Sequence, residues 1–120
     1  MTNPFRDQEK FMRACDQTVG TENLEQYKLY HELIREEVQE LEDSRTKEDD
    51  LDALIDILVV TIGAIHSMGA DAEGAWKEVM QTNFNKIDKE TGKVRKREDG
   101  KVLKPQGWVA PDLTPYLEKK

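Results

Sequence analysis

The sequence is poor in the residues that soft-metal and redox sites require. It has one cysteine, Cys15, and two histidines, His31 and His66, in 120 residues. A single cysteine forms no internal disulfide, which fits a reducing compartment, and Cys15 is expected as a small core residue. Neither histidine has a glutamate three residues before it, because position 28 is Lys and position 63 is Gly. The Glu-x-x-His pairs of a di-iron helical bundle are therefore missing. Long apolar runs are missing too. The best candidate is interrupted by Asp56 and Gly63, so no membrane span is expected. No secretory leader is read near the N-terminus, and a cytoplasmic location is the expectation. Positive charge is in deficit, with 18 basic against 25 acidic residues and a formal charge of −7. That balance argues against nucleic acid or an anionic membrane as a main partner. Apolar residues make up only 37%. This is a lean core for one domain over residues 1–120, and a homodimer or homotetramer with a shared core is expected.

What the chain has instead is acid in unusual places. Residues 30–41 read YHELIREEVQEL and residues 49–60 read DDLDALIDILVV. At about 100° per residue, Leu33, Ile34, Val38 and Leu41 form one apolar stripe. Glu37 falls inside that stripe, and Glu36 and Glu40 fan out from its edge, at spacings that bring side chains together. Asp52 and Asp56 lie one turn apart in the second segment, and Asp56 is embedded in apolar residues. A helix apolar on nearly every side is buried, and a buried carboxylate needs a partner or a metal. The polar stretch 43–47 suits a turn between antiparallel helices. Folded there, the hairpin brings Glu40 level with Asp52, and Glu36 and Glu37 level with Asp56.

Five facing carboxylates repel one another unless protons or cations neutralise them. An all-oxygen site without His or Cys suits a hard ion, Mg²⁺ first and Mn²⁺ second. Carboxylate-held Mg²⁺ is the setting of phosphate-ester chemistry. The bland alternative is a solvated acidic helix face, common in itself; Asp56 inside its apolar run and the register across the turn favour the metal.

The spacing Glu36-Glu37-x-x-Glu40-Leu41 followed by Asp52-Ala53-x-x-Asp56 resembles the metal signature of the all-α nucleotide pyrophosphohydrolases, the MazG-like and phosphoribosyl-ATP pyrophosphatase group. The resemblance extends to an Asn-x-x-Lys segment at Asn83 and Lys86, and to a tail, residues 99–108, found in one branch. It covers about residues 11–113. The second motif departs from the group, since Ala53 stands where Glu is usual; Asp52 is the substitute ligand. The resemblance implies Mg²⁺-dependent hydrolysis of a nucleoside triphosphate, deoxyribonucleotides included, to the monophosphate and pyrophosphate by attack at the α-phosphorus. It implies metal ligands at Glu36, Glu37, Glu40, Asp52 and Asp56, with Glu36 or Glu37 as the catalytic carboxylate. It also implies a dimer or a dimer of dimers.

The rest of the chain predicts four helices. Asn3-Pro4 is a cap followed by a first-position proline, and helix 1 is expected over about residues 4–18, stopped by Gly20. Asp16 and Gln17 are weak substrate-contact candidates by the resemblance. Thr21 is the expected cap of helix 2, about 22–43, with Tyr27, Tyr30, Ile34, Val38 and Leu41 buried. Helix 3 is expected from about Lys47 to Met68, stopped by Gly69. Asp71 is the expected cap of helix 4, where Ala72, Trp76, Val79, Met80 and Ile87 recur at helical spacing and Trp76 is expected in the core.

Asn83 and Lys86 near its end suit a base or sugar hydroxyl and a phosphate, although Lys is ordinary at a helix C-terminus. Residues 88–120 form a basic C-terminal arm, with a small hairpin about Glu98-Asp99-Gly100 and a tail docked by Trp108. Lys86, Lys101 and Lys104 are the candidates for phosphate charge, against the alternative of a solvated tail. The fold expected is all-α, a four-helix core with a short C-terminal hairpin and extended tail. Two other functions suit the same residues: a phosphoribosyl-ATP pyrophosphatase, and a non-catalytic helical interaction module whose acids meet a basic partner.

Overall fold

The computed structural model describes residues 2–119 and contains four α-helices: α1 (Pro4–Ala14), α2 (Leu24–Asp43), α3 (Lys47–Ser67) and α4 (Ala72–Phe84). Among the described residues the only β-pairing is two isolated antiparallel bridges, so the fold is all-α as expected. The chain forms two compact units. One comprises the segment up to Ala72 together with the stretch from Tyr116 onward, and the other is Glu73–Pro115.

Each helix start in the first unit is set by a side-chain cap. The Asn3 carbonyl oxygen accepts from the backbone N–H of Phe5 and Arg6, with Pro4 at the first position. Asn23 accepts from Gln26 N–H, and Thr46 accepts from Asp49 N–H. These oxygens satisfy N–H groups that no carbonyl within the helix can reach. Thr21, the expected cap of α2, is not used; Asn23 starts the helix two residues later. Three acids in the first turn of α3, Glu48, Asp49 and Asp50, also complement the positive end of its dipole.

The end of α1 differs from the expectation. The helix stops at Ala14, well before Gly20, and Asp16 takes the left-handed conformation with φ 59°. Asp16 N–H donates to Arg13 O and Gln17 N–H to Met12 O, at 3.1 and 2.9 Å. This is the paired bonding of a Schellman motif, with aspartate in the place glycine usually takes. Cys15 is the cap residue and is exposed, not part of the core. The stop of α3 follows the expectation, with Gly69 at φ 83° just beyond Met68.

The core of the first unit is Met12, Val19, Tyr30 and Ala64, with Tyr27, Leu33, Ile34 and Val60 packed against it. Gly63 lets α2 approach α3, because a Cβ there would lie 2.3 Å from Cε1 of the buried Tyr30 ring. Gln26 ties three segments together: it accepts from Thr18 N–H and donates to Thr18 O and Ser67 Oγ. Residues 116–119 close back on the connection after α3, with Asp71 N–H donating to Tyr116 O and Lys119 N–H to Gly69 O, both 2.9 Å.

Several apolar residues expected inside are exposed in the single chain. Val38 on α2 and Trp76 on α4 are exposed, as are Leu51, Leu54, Ile55 and Leu58 on α3. Helical periodicity identifies an apolar face but not what covers it. The buried residues of α3 are instead mostly small, Ala53, Gly63, Ala64 and Ser67, together with Ile62 and His66. No single helix is long and apolar enough to cross a membrane.

The second unit is α4 and the irregular arm that follows it. Helix α4 ends at Phe84, so Ile87 lies beyond it and pairs with Val94 instead. The expected hairpin forms as a bridge between Lys96 and Val102, closed over Gly100 at φ 89°. Trp108 docks the tail as expected, donating Nε1–H to Thr82 O on α4 at 2.6 Å.

Candidate metal centre

Helices α2 and α3 run antiparallel across a connection of only three residues, 44–46. A link that short forces neighbouring helices to pack side by side. Glu37 and Glu40, one turn apart on α2, then face Asp56 on α3. One carboxylate oxygen from each lies within 4.8 Å of the others. Glu37 and Asp56 are half-buried, and Glu40 is exposed at the rim.

The electrostatics follow from that crowding. The Glu37 carboxyl is pushed above the usual carboxylate range by burial first, then by the charge of Glu40 and a proton-sharing contact with it, and then by the charges of Asp56 and Asp52. The Asp56 carboxyl is pushed up by burial, with Asp52 and Glu40 adding to it. Glu37 Oε2 is buried without a hydrogen-bond partner. A buried acceptor left unpaired costs about 1–3 kcal/mol, so the cluster as it stands is short of positive charge or protons.

Of the five acids expected from the sequence, three therefore converge. Asp52 is exposed, yet it is close enough for its charge to act on both Glu37 and Asp56. Glu36 is exposed and lies outside the group of three. Adjacent helix residues point about 100° apart, so Glu36 and Glu37 cannot both face α3.

The residues expected to contact substrate lie in the second unit and near the end of α1. Lys86 Nζ donates to Asn83 Oδ1 at 3.1 Å. Its ammonium also stands 5.0 Å from the centre of the Trp108 ring, as does that of Lys104. Lys101 is exposed, with its backbone N–H on Asp99 Oδ1. Gln17 accepts the hydroxyl hydrogen of Tyr30, a structural role, and Asp16 makes the turn after α1. The contact of Trp108 with two ammonium groups was not anticipated from the sequence. Its only signal was a lone Trp between Gly107 and an extended Pro-rich tail.

An acid cluster on an antiparallel helix pair, in an all-α chain, is the arrangement of the MazG-like all-α nucleotide pyrophosphohydrolases. Within that class, residues 8–83 match the phosphoribosyl-ATP pyrophosphohydrolase family. The match spans well over half of the chain and all of α2 and α3, and the chain belongs to this family. No curated protein matches it. The family is of the metal-dependent pyrophosphohydrolase type, and the residues fit a metal on two grounds. The donor set is all carboxylate oxygen, which hard divalent ions prefer, and the buried Glu37 oxygen lacks a partner.

Proposed function

We propose that this chain hydrolyses a nucleoside triphosphate to the monophosphate and pyrophosphate, using Mg²⁺, for which Mn²⁺ can substitute. The observation that carries this reading is the convergence of Glu37, Glu40 and Asp56 around an unpartnered buried oxygen, inside the segment that matches a pyrophosphohydrolase family. Glu37, Glu40 and Asp56 would hold the ion, with Asp52 beside them at the exposed rim. A bound divalent ion supplies neutralisation of phosphate charge and acidification of water.

The chain's own groups do the rest. Glu37, half-buried among the converging acids, is the first candidate to take a proton from water. Glu36 is the second candidate for that role. In the second unit, Asn83 offers an amide for a sugar or base, and Lys86, Lys101 and Lys104 offer charge for phosphates. The apolar residues exposed along α3 support a homodimer or homotetramer, since burying Leu51, Leu54, Ile55 and Leu58 against a second copy removes them from water.

Phosphoribosyl-ATP is the second substrate to consider, because the matching family is named for it. Against it stands the basic arm, which lies beyond the matched residues. The deciding experiment is side-by-side turnover of ribo- and deoxyribonucleoside triphosphates and phosphoribosyl-ATP, with Mg²⁺ and with EDTA. Metal-dependent pyrophosphate from a triphosphate is the expected result. Turnover of phosphoribosyl-ATP alone would transfer the assignment to that substrate, and release of single phosphate would overturn attack at the α-phosphorus.

A further inference from the structure

The second unit contains a cavity of about 400 Å³ whose walls bring together Lys86, Lys89, Arg95 and Lys104. Its size falls within the range of about 300–1,000 Å³ usual for small-molecule sites. We infer that this cavity is a binding site for a di- or triphosphate group. It lies wholly within the second unit; it shares Lys86 and Lys104 with the proposed function, on which it rests for those two, and adds Lys89 and Arg95, which that reading does not use.

The charge around the cavity is uncompensated. Among the described residues, no carboxylate forms an ion pair with any of these four cations. One acid lines the cavity, Asp88, and it is engaged with its own loop. Asp88 Oδ1 accepts from Glu90 N–H at 2.8 Å and from Thr91 N–H at 3.4 Å. Four cations facing one engaged acid suit an anion of high charge density, because a single carboxylate ligand would leave most of the charge unmatched.

Two of the four cations are also held in place. Lys86 and Lys104 each stand 5.0 Å from the Trp108 ring centre, so the two ammonium groups lie within twice that distance of each other. An ammonium over an indole face is attracted to it and loses freedom before any ligand arrives. Lys86 Nζ is further oriented by Asn83. The Arg95 carbonyl accepts from Leu103 N–H at 2.8 Å, which sets the backbone at residue 95 beside the segment that carries Lys104. A guanidinium presents paired N–H donors that match two phosphate oxygens, whereas lysine acts as a point charge.

Neutral donors complete the wall. Asn85 Oδ1 accepts from Gln81 Nε2, which leaves the Asn85 amide hydrogens for a ligand, and Gln106 lies on the same cavity. The chemistry is shared by free pyrophosphate and by the phosphate chain of a nucleotide.

The test is titration calorimetry of the full chain in EDTA, so that neither turnover nor metal at the acid cluster contributes. The probes are pyrophosphate and a nucleoside triphosphate carrying a non-hydrolysable α,β-methylene bridge. Saturable binding of at least one is expected, weakened at least tenfold in Arg95→Gln and in Lys89→Gln. Lys96→Gln, an equal charge loss outside the cavity, is expected to change it less than threefold. Tryptophan fluorescence checks that the arm stays docked in each variant. Pyrophosphate binding as tightly as the nucleotide would identify the free anion as sufficient; binding of the nucleotide alone would identify a chain attached to a nucleoside. Either supports the site. No saturable binding of either probe overturns it, as does an equal loss in Lys96→Gln, which would mark unspecific attraction to a basic arm.

Discussion

The α2–α3 hairpin gathers negative charge inside regular, half-buried structure, whereas the C-terminal arm gathers positive charge on an almost irregular backbone. In the hairpin, rigid helices hold Glu37, Glu40 and Asp56 together against their own repulsion, and burial raises two of their carboxyls. In the arm, a few backbone bonds hold the chain and one indole ring restrains two of the cations. Like charges crowded into helices that pack for other reasons form a site whose unfavourable energy is relieved by a ligand. Charges on a loosely paired arm hold their places only through local contacts. Substitution of the hairpin's acids should therefore spare its fold and impair its chemistry, whereas loss of one local contact should loosen the arm.

The largest expected effect tests the first half of that contrast. Asp56→Ala or Glu40→Ala should lower metal-dependent pyrophosphate release by at least about 100-fold, the scale on which one electrostatic group at a reacting centre counts. Circular dichroism should show the helices intact, since removing one of several crowded acids relieves repulsion. Normal turnover in either variant would remove these residues from the site.

Next comes the packing that holds the hairpin. Gly63→Ala places a methyl group 2.3 Å from Tyr30 Cε1, and the buried ring, bonded to Gln17, has little room to move. The expected loss is about 1–3 kcal/mol, read from urea unfolding; an unchanged midpoint would show that α2 and α3 can separate freely.

A pH effect of smaller size follows from the raised carboxyls. In EDTA, Glu37 and Asp56 hold protons to higher pH in the folded chain than in the unfolded one. Their contribution to metal-free stability is therefore greatest when protonated, and falls as pH rises from the ordinary carboxylate range through the raised values. Thermal unfolding of wild type and the double variant Glu37→Gln/Asp56→Asn across that window should show the slope in wild type alone. An identical slope in both would assign it to other groups.

In the arm, Trp108→Phe removes the hydrogen bond to Thr82 O, a loss of about 0.5–1.5 kcal/mol. It should speed hydrogen exchange of amides in residues 94–103 while leaving α2 and α3 unchanged. Equal acceleration in both regions would show that the arm's order and the hairpin's are a single property.

Much of this was legible in the sequence, and the misses share a cause. The hairpin register could be read because a short polar link and helical spacing fix which acids share a level, and Asp56 in an apolar run drew attention to itself. Glu36 and Glu37 could not be separated that way, since neighbouring residues differ only in rotation about the axis. The end of α1 was hidden because Asp16 does the work of a glycine, a role its side chain rarely takes. Val38, Trp76 and Cys15 read as core because apolarity predicts a preference for burial, not the presence of a covering surface. The basic cavity depends on pairings of Ile87 with Val94 and Lys96 with Val102, which a run of lysines and arginines does not announce.

The measurement that tests the metal centre most directly is Mn²⁺ binding followed by electron paramagnetic resonance, in wild type and in Asp56→Asn. Wild type should bind the ion saturably, with Mg²⁺ as competitor, and Asp56→Asn should lose at least tenfold in affinity while keeping its helices. Equal binding in the two proteins, or none in wild type, would contradict the assignment of Glu37, Glu40 and Asp56 as a metal site and leave the acids to a basic protein partner.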